Sequence, residues 1–290
     1  MTQMTTASFQ GTGVREVTLT CPKHGAYMVE QCFVAGRLAH TPECPKCKAE
    51  RLSSPEYQAQ MAKAKAEAEE LERKRQQAAK HEAYMSACRK SNVPASFVGK
   101  LLKDFTITNS QLSEALRQAR LYVDNFEKVA EKGVGFCLYG NCGTGKTMLA
   151  CAILQELFDR VQGLYAPMWD VLRAIRKADS FKADMEDYNS LVRAPLLVID
   201  EVGVQNGSSF EESQLMSLLD ERYSRRLPTI FVTNLLPDEK DQAKSTSNPN
   251  TLRAKLGERL FNRILGSSVF LYFKGESQRR RIMKIDEVIG

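Results

Sequence analysis

The chain of 290 residues contains no long apolar run. No stretch approaches the roughly 20 consecutive apolar residues that a membrane-spanning helix needs. The N-terminus also lacks a basic segment followed by an apolar one, which is the pattern of an export signal. We therefore expect a cytoplasmic protein without a membrane partner. Its eight cysteines are then expected to be thiols or metal ligands rather than disulfides.

Histidine is scarce as well, and its few positions are clustered. Two of the three histidines and four of the eight cysteines fall within residues 21–47. A C-x₂-H pair and a C-x₂-C pair about 20 residues apart can close a tetrahedron around Zn²⁺, which then stabilises a fragment with little core. Cys32 and His40 are alternative ligands, and scattered thiols in a loop would explain the same residues without a metal. The favoured zinc ligands are Cys21, His24, Cys44 and Cys47.

The net charge of +6 is modest, but it is unevenly distributed. Residues 91–239 carry 16 Lys and Arg against 20 Asp and Glu, whereas residues 240–290 carry 11 against 5. A basic C-terminal part is compatible with nucleic-acid binding. A solvated basic surface explains the same numbers almost as well.

A glycine-rich turn follows a short apolar run and precedes a Leu- and Ala-rich segment with helical character. Residues 140–147 fit the phosphate-loop pattern G-x-x-x-x-G-K-[ST]. In such a loop the backbone N–H groups and the helix N-terminus surround an anion, so we expect ATP here rather than an ordinary glycine turn. Lys146 would reach the β- and γ-phosphates, and Thr147 would hold Mg²⁺. The predicted nucleotide-binding residues are Gly140, Asn141, Cys142, Gly143, Thr144, Gly145, Lys146, Thr147 and Met148.

Polar side chains end two further apolar runs. Asp200 and Glu201 follow residues 196–199, and Asn234 follows residues 229–233. We expect Asp200 to hold Mg²⁺ through water, Glu201 to polarise the attacking water, and Asn234 to contact that water and the γ-phosphate. Acids and asparagine also end strands without any catalytic role. Because strands alternate with helices, the sequence predicts a parallel sheet with right-handed crossovers.

The composition divides the chain into three parts. Residues 1–53 form the predicted zinc-binding domain, residues 54–92 a helical linker, and residues 93–290 the nucleotide-binding domain. Residues 58–87 are rich in Ala, Lys, Glu, Gln and Arg, which favours a solvent-exposed helix. Within the third part we expect helices over residues 111–131 and 147–162. Cys142 is expected to be a buried filler.

Residues 93–290 resemble the AAA+ ATPases of the DnaC/DnaI helicase-loader and IstB-like group. The combination of blocks is more specific than the phosphate loop and the acidic strand end alone. This chain has Asp200-Glu201 where family members often have two aspartates, and either pair provides the carboxylates. The matching blocks are residues 140–147, 197–203, 220–223, 233–235 and 257–263.

The resemblance implies an α/β P-loop fold and a slow, DNA-stimulated ATPase that forms oligomers and binds single-stranded DNA. It implies that the protein places a hexameric replicative helicase of the DnaB type on DNA, with the N-terminal domain binding this partner. By the same resemblance Arg263 is the arginine finger offered to a neighbouring subunit, with Arg259 as its rival, and Arg279 is the second sensor.

Two other functions remain open from the sequence. One is an IstB-like ATPase of transposition, which would bind a transposase and duplex DNA. The other is a metal-stabilised adaptor that holds ATP as a structural ligand and hydrolyses it negligibly.

Overall fold

The structure is a computed structural model, and it describes residues 13–34, 37–40, 42–180, 185–203, 209–238 and 251–278. The chain divides into two compact units, Met1–Lys80 and His81–Gly290. Across the described ranges, none of the helices has the length and apolar character that a membrane crossing requires.

The first unit begins with a three-stranded antiparallel sheet of β1 (Gly13–Cys21), β2 (Gly25–Val34) and β3 (Arg37–His40). Alternate residues of β2 are half-buried and exposed, as the period-two geometry of a strand dictates. The turn between Cys21 and Gly25 is tight because these two residues are paired in the sheet. This turn presents Cys21 and His24, and helix α1 (Pro45–Ser53) begins directly after Cys44.

Helix α2 (Pro55–Lys90) confirms the helix expected over residues 58–87. Its only buried residue is Cys88, so packing contributes little to most of its length. Pairs of opposite charge four residues apart support the exposed part, with Nζ–Oε1 distances of 3.9 Å for Lys63–Glu67 and 3.8 Å for Lys65–Glu69. Such pairs contribute only about 0.3–0.5 kcal/mol each, and the helix therefore depends mainly on its composition.

The second unit contains the predicted parallel sheet. Five strands pair in parallel in the order β5-β6-β7-β4-β8. Three of them overlap the apolar runs that the sequence shows: β4 leads into the glycine-rich turn, β6 ends at Asp200, and β7 ends one residue before Asn234. The strands are β4 (Gly135–Gly140), β5 (Leu164–Pro167), β6 (Leu197–Asp200), β7 (Thr229–Thr233) and β8 (Ser268–Phe273).

Helices cover both faces of this sheet. Alternate side chains of the strands enter two cores: Phe136 and Leu138 of β4 lie in one, and Cys137 lies in the other. The first core is completed by α3 and α5 and the second by α6 to α9. The helices are α3 (Ser110–Asp124), α4 (Phe126–Glu131), α5 (Lys146–Glu156), α6 (Met168–Ser180), α7 (Glu186–Arg193), α8 (Ser209–Ser224) and α9 (Leu252–Ser267).

Three expectations are corrected. The helix expected over residues 111–131 is two helices, because Asn125 leaves the helical conformation and its side-chain amide donates to the Leu121 carbonyl. Helix α5 ends at Glu156 rather than at residue 162. Its last turn is tightened, because the Leu157 N–H donates to the Leu154 carbonyl. Cys142 is exposed rather than buried.

Candidate nucleotide site and metal cluster

The glycine-rich loop connects the end of β4 to the start of α5, as the sequence predicts. Gly143 and Gly145 have φ angles of 77° and 96°, a region that side chains with a Cβ rarely adopt. A Cβ on Gly143 would lie 2.1 Å from the Ser277 hydroxyl oxygen. The loop conformation therefore requires glycine, and the helix that follows directs its N-terminus toward the loop.

Lys146 is buried although it carries a charge, with 5% of its surface exposed. Its Nζ donates to the Gly140 carbonyl at 3.0 Å and to the Asn141 carbonyl at 2.5 Å. The Thr144 hydroxyl also donates to the Asn141 carbonyl at 2.8 Å. These bonds hold the loop closed around the ammonium group, which is where an anionic ligand would be bound.

Most of the predicted site residues line one cavity of about 410 Å³. Its walls come from the loop, from the carboxyl ends of β6 and β7, and from residues 94 and 97 before α3. Carboxylates, an amide, a hydroxyl and an ammonium group thus converge in one place, as at the strand ends of other open α/β sheets. The predicted residues in its lining are Cys142, Gly143, Gly145, Lys146, Thr147, Met148, Asp200, Glu201 and Asn234.

The backbone around Glu201 is strained. Glu201 has a φ of 59°, which is uncommon for a residue with a long side chain. Its backbone N–H donates to Oδ1 of Asp200 at 2.7 Å, and the next N–H, of Val202, donates to the Val232 carbonyl at 2.9 Å. These bonds stabilise the strained conformation, which leaves the Glu201 side chain exposed toward the cavity.

Asn234 lies at the end of β7, where a buried threonine fixes its neighbourhood. The Thr233 hydroxyl donates to the Val202 carbonyl at 2.6 Å and accepts from the Leu235 N–H at 3.1 Å. Thr233 therefore connects the loop after β6 to the loop after β7. Asn234 and Glu201 are held in the same cavity by this connection.

Arg263 lies on α9 and is held by residues of α8. Its guanidinium forms an ion pair with Asp220 and stacks on the Tyr223 ring at 4.4 Å from the centroid. It shares a small cavity with Thr229, the first residue of β7, whereas Asn234 follows the last residue. Arg263 therefore lies near the amino ends of the strands, whereas the cavity that contains Asn234 lies at their carboxyl ends. Arg259 is exposed, and Arg279 lies outside the described residues.

Cys21, His24, Cys44 and Cys47 come together in the first unit, with all four ligand atoms within 4.8 Å of one another. The Sγ atoms of Cys21 and Cys47 are 3.6 Å apart, and His24 Nδ1 is 3.7 Å from Cys44 Sγ and 3.3 Å from Cys47 Sγ. Ligands about 2.0–2.3 Å from a tetrahedral Zn²⁺ have separations of this size. The two alternative ligands, Cys32 and His40, are not part of this group of four. Cys32 is exposed on β2, and His40 of β3 is its backbone partner in the sheet.

The neighbours of this cluster suit metal binding. Glu50 accepts from Lys23 Nζ at 2.5 Å and contacts His24 Nε2 at 3.1 Å, which directs Nδ1 of His24 toward the thiols. Backbone N–H groups of Lys23 and His24 lower the pKa of the Cys21 thiol to about 6. The hydrogen bond that Cys47 donates to the Cys21 sulfur raises the pKa of Cys47 to about 11.

The profile of the IstB-like ATP binding protein family matches residues 66–285. The chain belongs to this family. The IstB-like protein is 34% identical over 175 residues to the replicative helicase loader DnaC of Escherichia coli K12, covering 58% of this chain and 64% of DnaC. It is 29% identical over 152 residues to the replicative helicase loader DnaI of Bacillus subtilis, covering 51% of this chain and 48% of DnaI. The chain thus matches less than two thirds of the length of these two relatives.

Solved structures agree with the fold. The crystal structure of the DnaC helicase loader superimposes with a TM-score of 0.55 at 23% identity, covering 62% of this chain and 100% of that one. The crystal structure of DnaI gives a TM-score of 0.51 at 24% identity, and the match covers 64% of this chain and 94% of the DnaI chain. The expected α/β P-loop fold of the AAA+ type is confirmed for the IstB-like protein.

Sequence patterns missed several residues that shape the site. Tyr165 donates its hydroxyl to Asp200 from the neighbouring strand, and no spacing in the sequence indicates this contact. Pro94 and Phe97 line the cavity from a segment without a recognisable motif. Asp220 and Tyr223 stood within a block that resembled the family, but only the structure shows that they hold Arg263.

Proposed function

We propose that this IstB-like protein is an ATP-dependent helicase loader. It binds ATP and single-stranded DNA, forms an oligomer and places a hexameric replicative helicase on DNA. The observation that carries the proposal is the single cavity in which Lys146, Asp200, Glu201 and Asn234 meet, in a chain similar to two replicative helicase loaders.

ATP is proposed to bind with its phosphates on residues 140–147. Loop N–H groups and the N-terminus of α5 would receive the phosphate oxygens, and Lys146 would exchange its carbonyl partners for the β- and γ-phosphates. Pro94, Phe97 and Met148 provide apolar surface for the base in the same cavity. The exposed Glu201 would orient the attacking water, with Asn234 beside it.

Magnesium suits the oxygen atoms of this cavity. The Thr147 hydroxyl and the Asp200 carboxylate are hard ligands on adjoining elements, which is the donor chemistry that Mg²⁺ prefers. The ion would neutralise charge on the β- and γ-phosphates. Asp200 is 5% exposed and its carboxylate is already oriented by hydrogen bonds, so little would need to move.

Zinc is proposed as the structural metal of the first unit, held by Cys21, His24, Cys44 and Cys47. These four ligands leave no open coordination position, so the ion stabilises the fold and does no chemistry. Among the residues of 13–80 whose burial is described, Cys21 and Cys44 are the only buried apolar ones, so the described part of the unit has little hydrophobic core without a metal. We assign this unit the role of binding the helicase.

Hydrolysis is proposed to need two adjacent subunits. Arg263 lies near the start of β7 and the proposed ATP cavity lies near its end, so Arg263 would act on the nucleotide of a neighbouring subunit rather than on its own. Arg279 is proposed to contact phosphate within its own subunit. The basic residues of the C-terminal part would bind the DNA backbone.

Co-purification with the replicative helicase of the same cell tests the partner, and ATP hydrolysis with and without single-stranded DNA tests the activity. We expect the helicase to be retained and hydrolysis to be slow and stimulated by DNA. Lys146→Ala should lose nearly all nucleotide binding, whereas Glu201→Gln should bind ATP and lose turnover.

Three results would contradict the proposal in different ways. Unchanged nucleotide affinity in Lys146→Ala would remove the phosphate loop as the site. Retention of a transposase and duplex DNA instead of the helicase would select the transposition ATPase. Bound ATP that is never hydrolysed, with or without DNA, would select the adaptor.

A further inference from the structure

Tyr165 lies on β5, the strand at one edge of the parallel sheet, next to β6. Its side chain is 7% exposed, and its hydroxyl donates to Oδ2 of Asp200 at 2.9 Å. In the strand register Tyr165 is opposite Val198 and Pro167 is opposite Asp200, so the bond reaches diagonally along the sheet to the strand end. Tyr165 also lines the nucleotide cavity.

The two oxygens of Asp200 are held by different donors. Oδ2 accepts from the Tyr165 hydroxyl and Oδ1 accepts from the Glu201 N–H. An ionised carboxylate has about four lone-pair positions, so each oxygen keeps one for a water molecule on a metal. The two bonds therefore fix the plane of the carboxylate and still leave lone-pair positions free on both oxygens.

Tyr165 is itself fixed from its other side. Its backbone N–H donates to the Ser91 carbonyl at 2.8 Å, and the Ser91 hydroxyl donates to the Gly163 carbonyl at 2.6 Å. Ser91 follows directly after α2. The edge strand β5 is therefore held by β6 on one side and by Ser91 on the other. A phenol on such a rigid support can hold a carboxylate in one orientation at little entropic cost.

From these contacts we propose that Tyr165 is a positioning residue for Asp200, and that it sets how strongly Mg²⁺ binds with ATP. This inference rests on the proposed binding of ATP and Mg²⁺ in the cavity. Tyr165 acts through Asp200 and need not touch the nucleotide. Hydrogen-bond partners of metal-binding groups typically change metal affinity 10–100-fold when they are removed.

The test is Tyr165→Phe, which removes only the hydroxyl. Binding of a fluorescent ATP analogue is titrated at a series of free Mg²⁺ concentrations and in EDTA. We expect the Mg²⁺ concentration that gives half of the change in affinity to rise about tenfold. Affinity in EDTA should stay within about twofold of the wild type, because the loop and Lys146 are intact. A general loss of packing would also weaken binding in EDTA, and that result would overturn the inference.

Tyr122→Phe is the matched control. Tyr122 is also buried, 4% exposed, and its hydroxyl donates to the Val134 carbonyl at 3.2 Å. It should leave the Mg²⁺ midpoint unchanged. An unchanged midpoint in Tyr165→Phe, beside a wild type that responds to Mg²⁺, would overturn this inference alone. A wild type that binds no nucleotide would overturn the proposed function instead.

Discussion

Arg222 is the largest fully buried side chain among the described residues. Its guanidinium donates to the backbone carbonyls of Leu191, Val192, Ala194 and Pro228 and to the Thr229 hydroxyl, at distances of 2.7–3.2 Å. Burial lowers its pKa to about 9, so it is still charged at neutral pH. One side chain therefore connects the end of α7, the end of α8 and the start of β7.

Arg222→Leu should be strongly destabilising, because it leaves those buried acceptors without a donor and each costs about 1–3 kcal/mol. We expect the free energy of unfolding to fall by at least about 3 kcal/mol in denaturant titration. Arg225→Leu is the control: Arg225 is exposed and pairs with Glu221 at 2.7 Å, so its loss should cost less than about 1 kcal/mol. Equal effects of the two substitutions would contradict this account of Arg222.

The sequence predicted the residues whose chemistry depends on short local spacing. The loop glycines, Lys146 and the Asp200-Glu201 pair each follow a strand, and the structure places them in one cavity. Contacts between distant residues could not be predicted in this way. Tyr165 and Asp200 are separated by 35 positions, and the pairing of β5 with β6 alone brings them together. Without a covariation signal, nothing in one sequence distinguishes Tyr165 from other buried tyrosines.

Helix α9 is interrupted at Gly257. This residue has a φ of 76° and a ψ of 162°, a combination that is open almost only to glycine, so α9 is two helices that meet at an angle. Arg263 lies on the second of them. Gly257 thus sets the direction of the helix that carries Arg263, which gives a physical reason for glycine at the start of the block of residues 257–263.

Gly257→Ala should destabilise the protein by about 1–3 kcal/mol, since alanine at that backbone conformation is strained whatever space surrounds it. Gly266→Ala in the same helix is the control, and its effect on stability should have the opposite sign. Gly266 has no positive φ and open space around it, so alanine should stabilise by about 0.5–1 kcal/mol. Thermal or denaturant unfolding of both variants measures the difference. A neutral Gly257→Ala would show that the break in α9 is not enforced by this residue.

The elements themselves were predicted unequally. Buried parallel strands appear in the sequence as short apolar runs, and the runs before the glycine-rich turn, Asp200 and Asn234 are strands β4, β6 and β7. The break between α3 and α4 was missed because the apolar periodicity continues through it, while a single side-chain amide at Asn125 ends the first helix. The sequence gives little indication of the antiparallel sheet in the first unit, since none of the described side chains of β2 is fully enclosed by a core.

The two units are expected to depend on different ligands. Cys44→Ser should remove bound zinc from the purified protein, where the wild type carries about one Zn²⁺ per chain. Residues 13–53 should then become sensitive to protease, because metal binding supplies most of their folding energy. Nucleotide affinity should be unchanged, since the cavity lies wholly in the second unit.

Cys32→Ser provides the control for this experiment. Its thiol is exposed and is not part of the four-residue cluster, so zinc content should be unchanged. If both serine variants lose zinc equally, the ligand set is wrong. Zinc near zero in wild-type protein prepared under reducing, chelator-free conditions would count against a metal in this unit.

The oligomer can be tested through Arg263. Because Arg263 lies near the start of β7 and the nucleotide cavity near its end, the guanidinium would act on the ATP of another subunit. Arginine fingers contribute about 10³–10⁵ in rate, so Arg263→Ala should bind ATP normally and hydrolyse it hardly at all. Removing Arg263 also frees Asp220 from its ion pair, which lies away from the cavity. ATP affinity is therefore the internal control for an intact fold.

Mixing Arg263→Ala with Lys146→Ala decides whether the contact crosses between subunits. The first variant supplies an intact phosphate loop and the second an intact Arg263, so interfaces that combine them should regain part of the turnover. Neither variant is active alone, and any recovered hydrolysis must therefore come from a mixed interface. The same mixture made with Arg259→Ala tests the rival. If only that second mixture recovers activity while the first stays inactive, the finger is Arg259. Full hydrolysis by an isolated monomer would mean that no arginine acts between subunits.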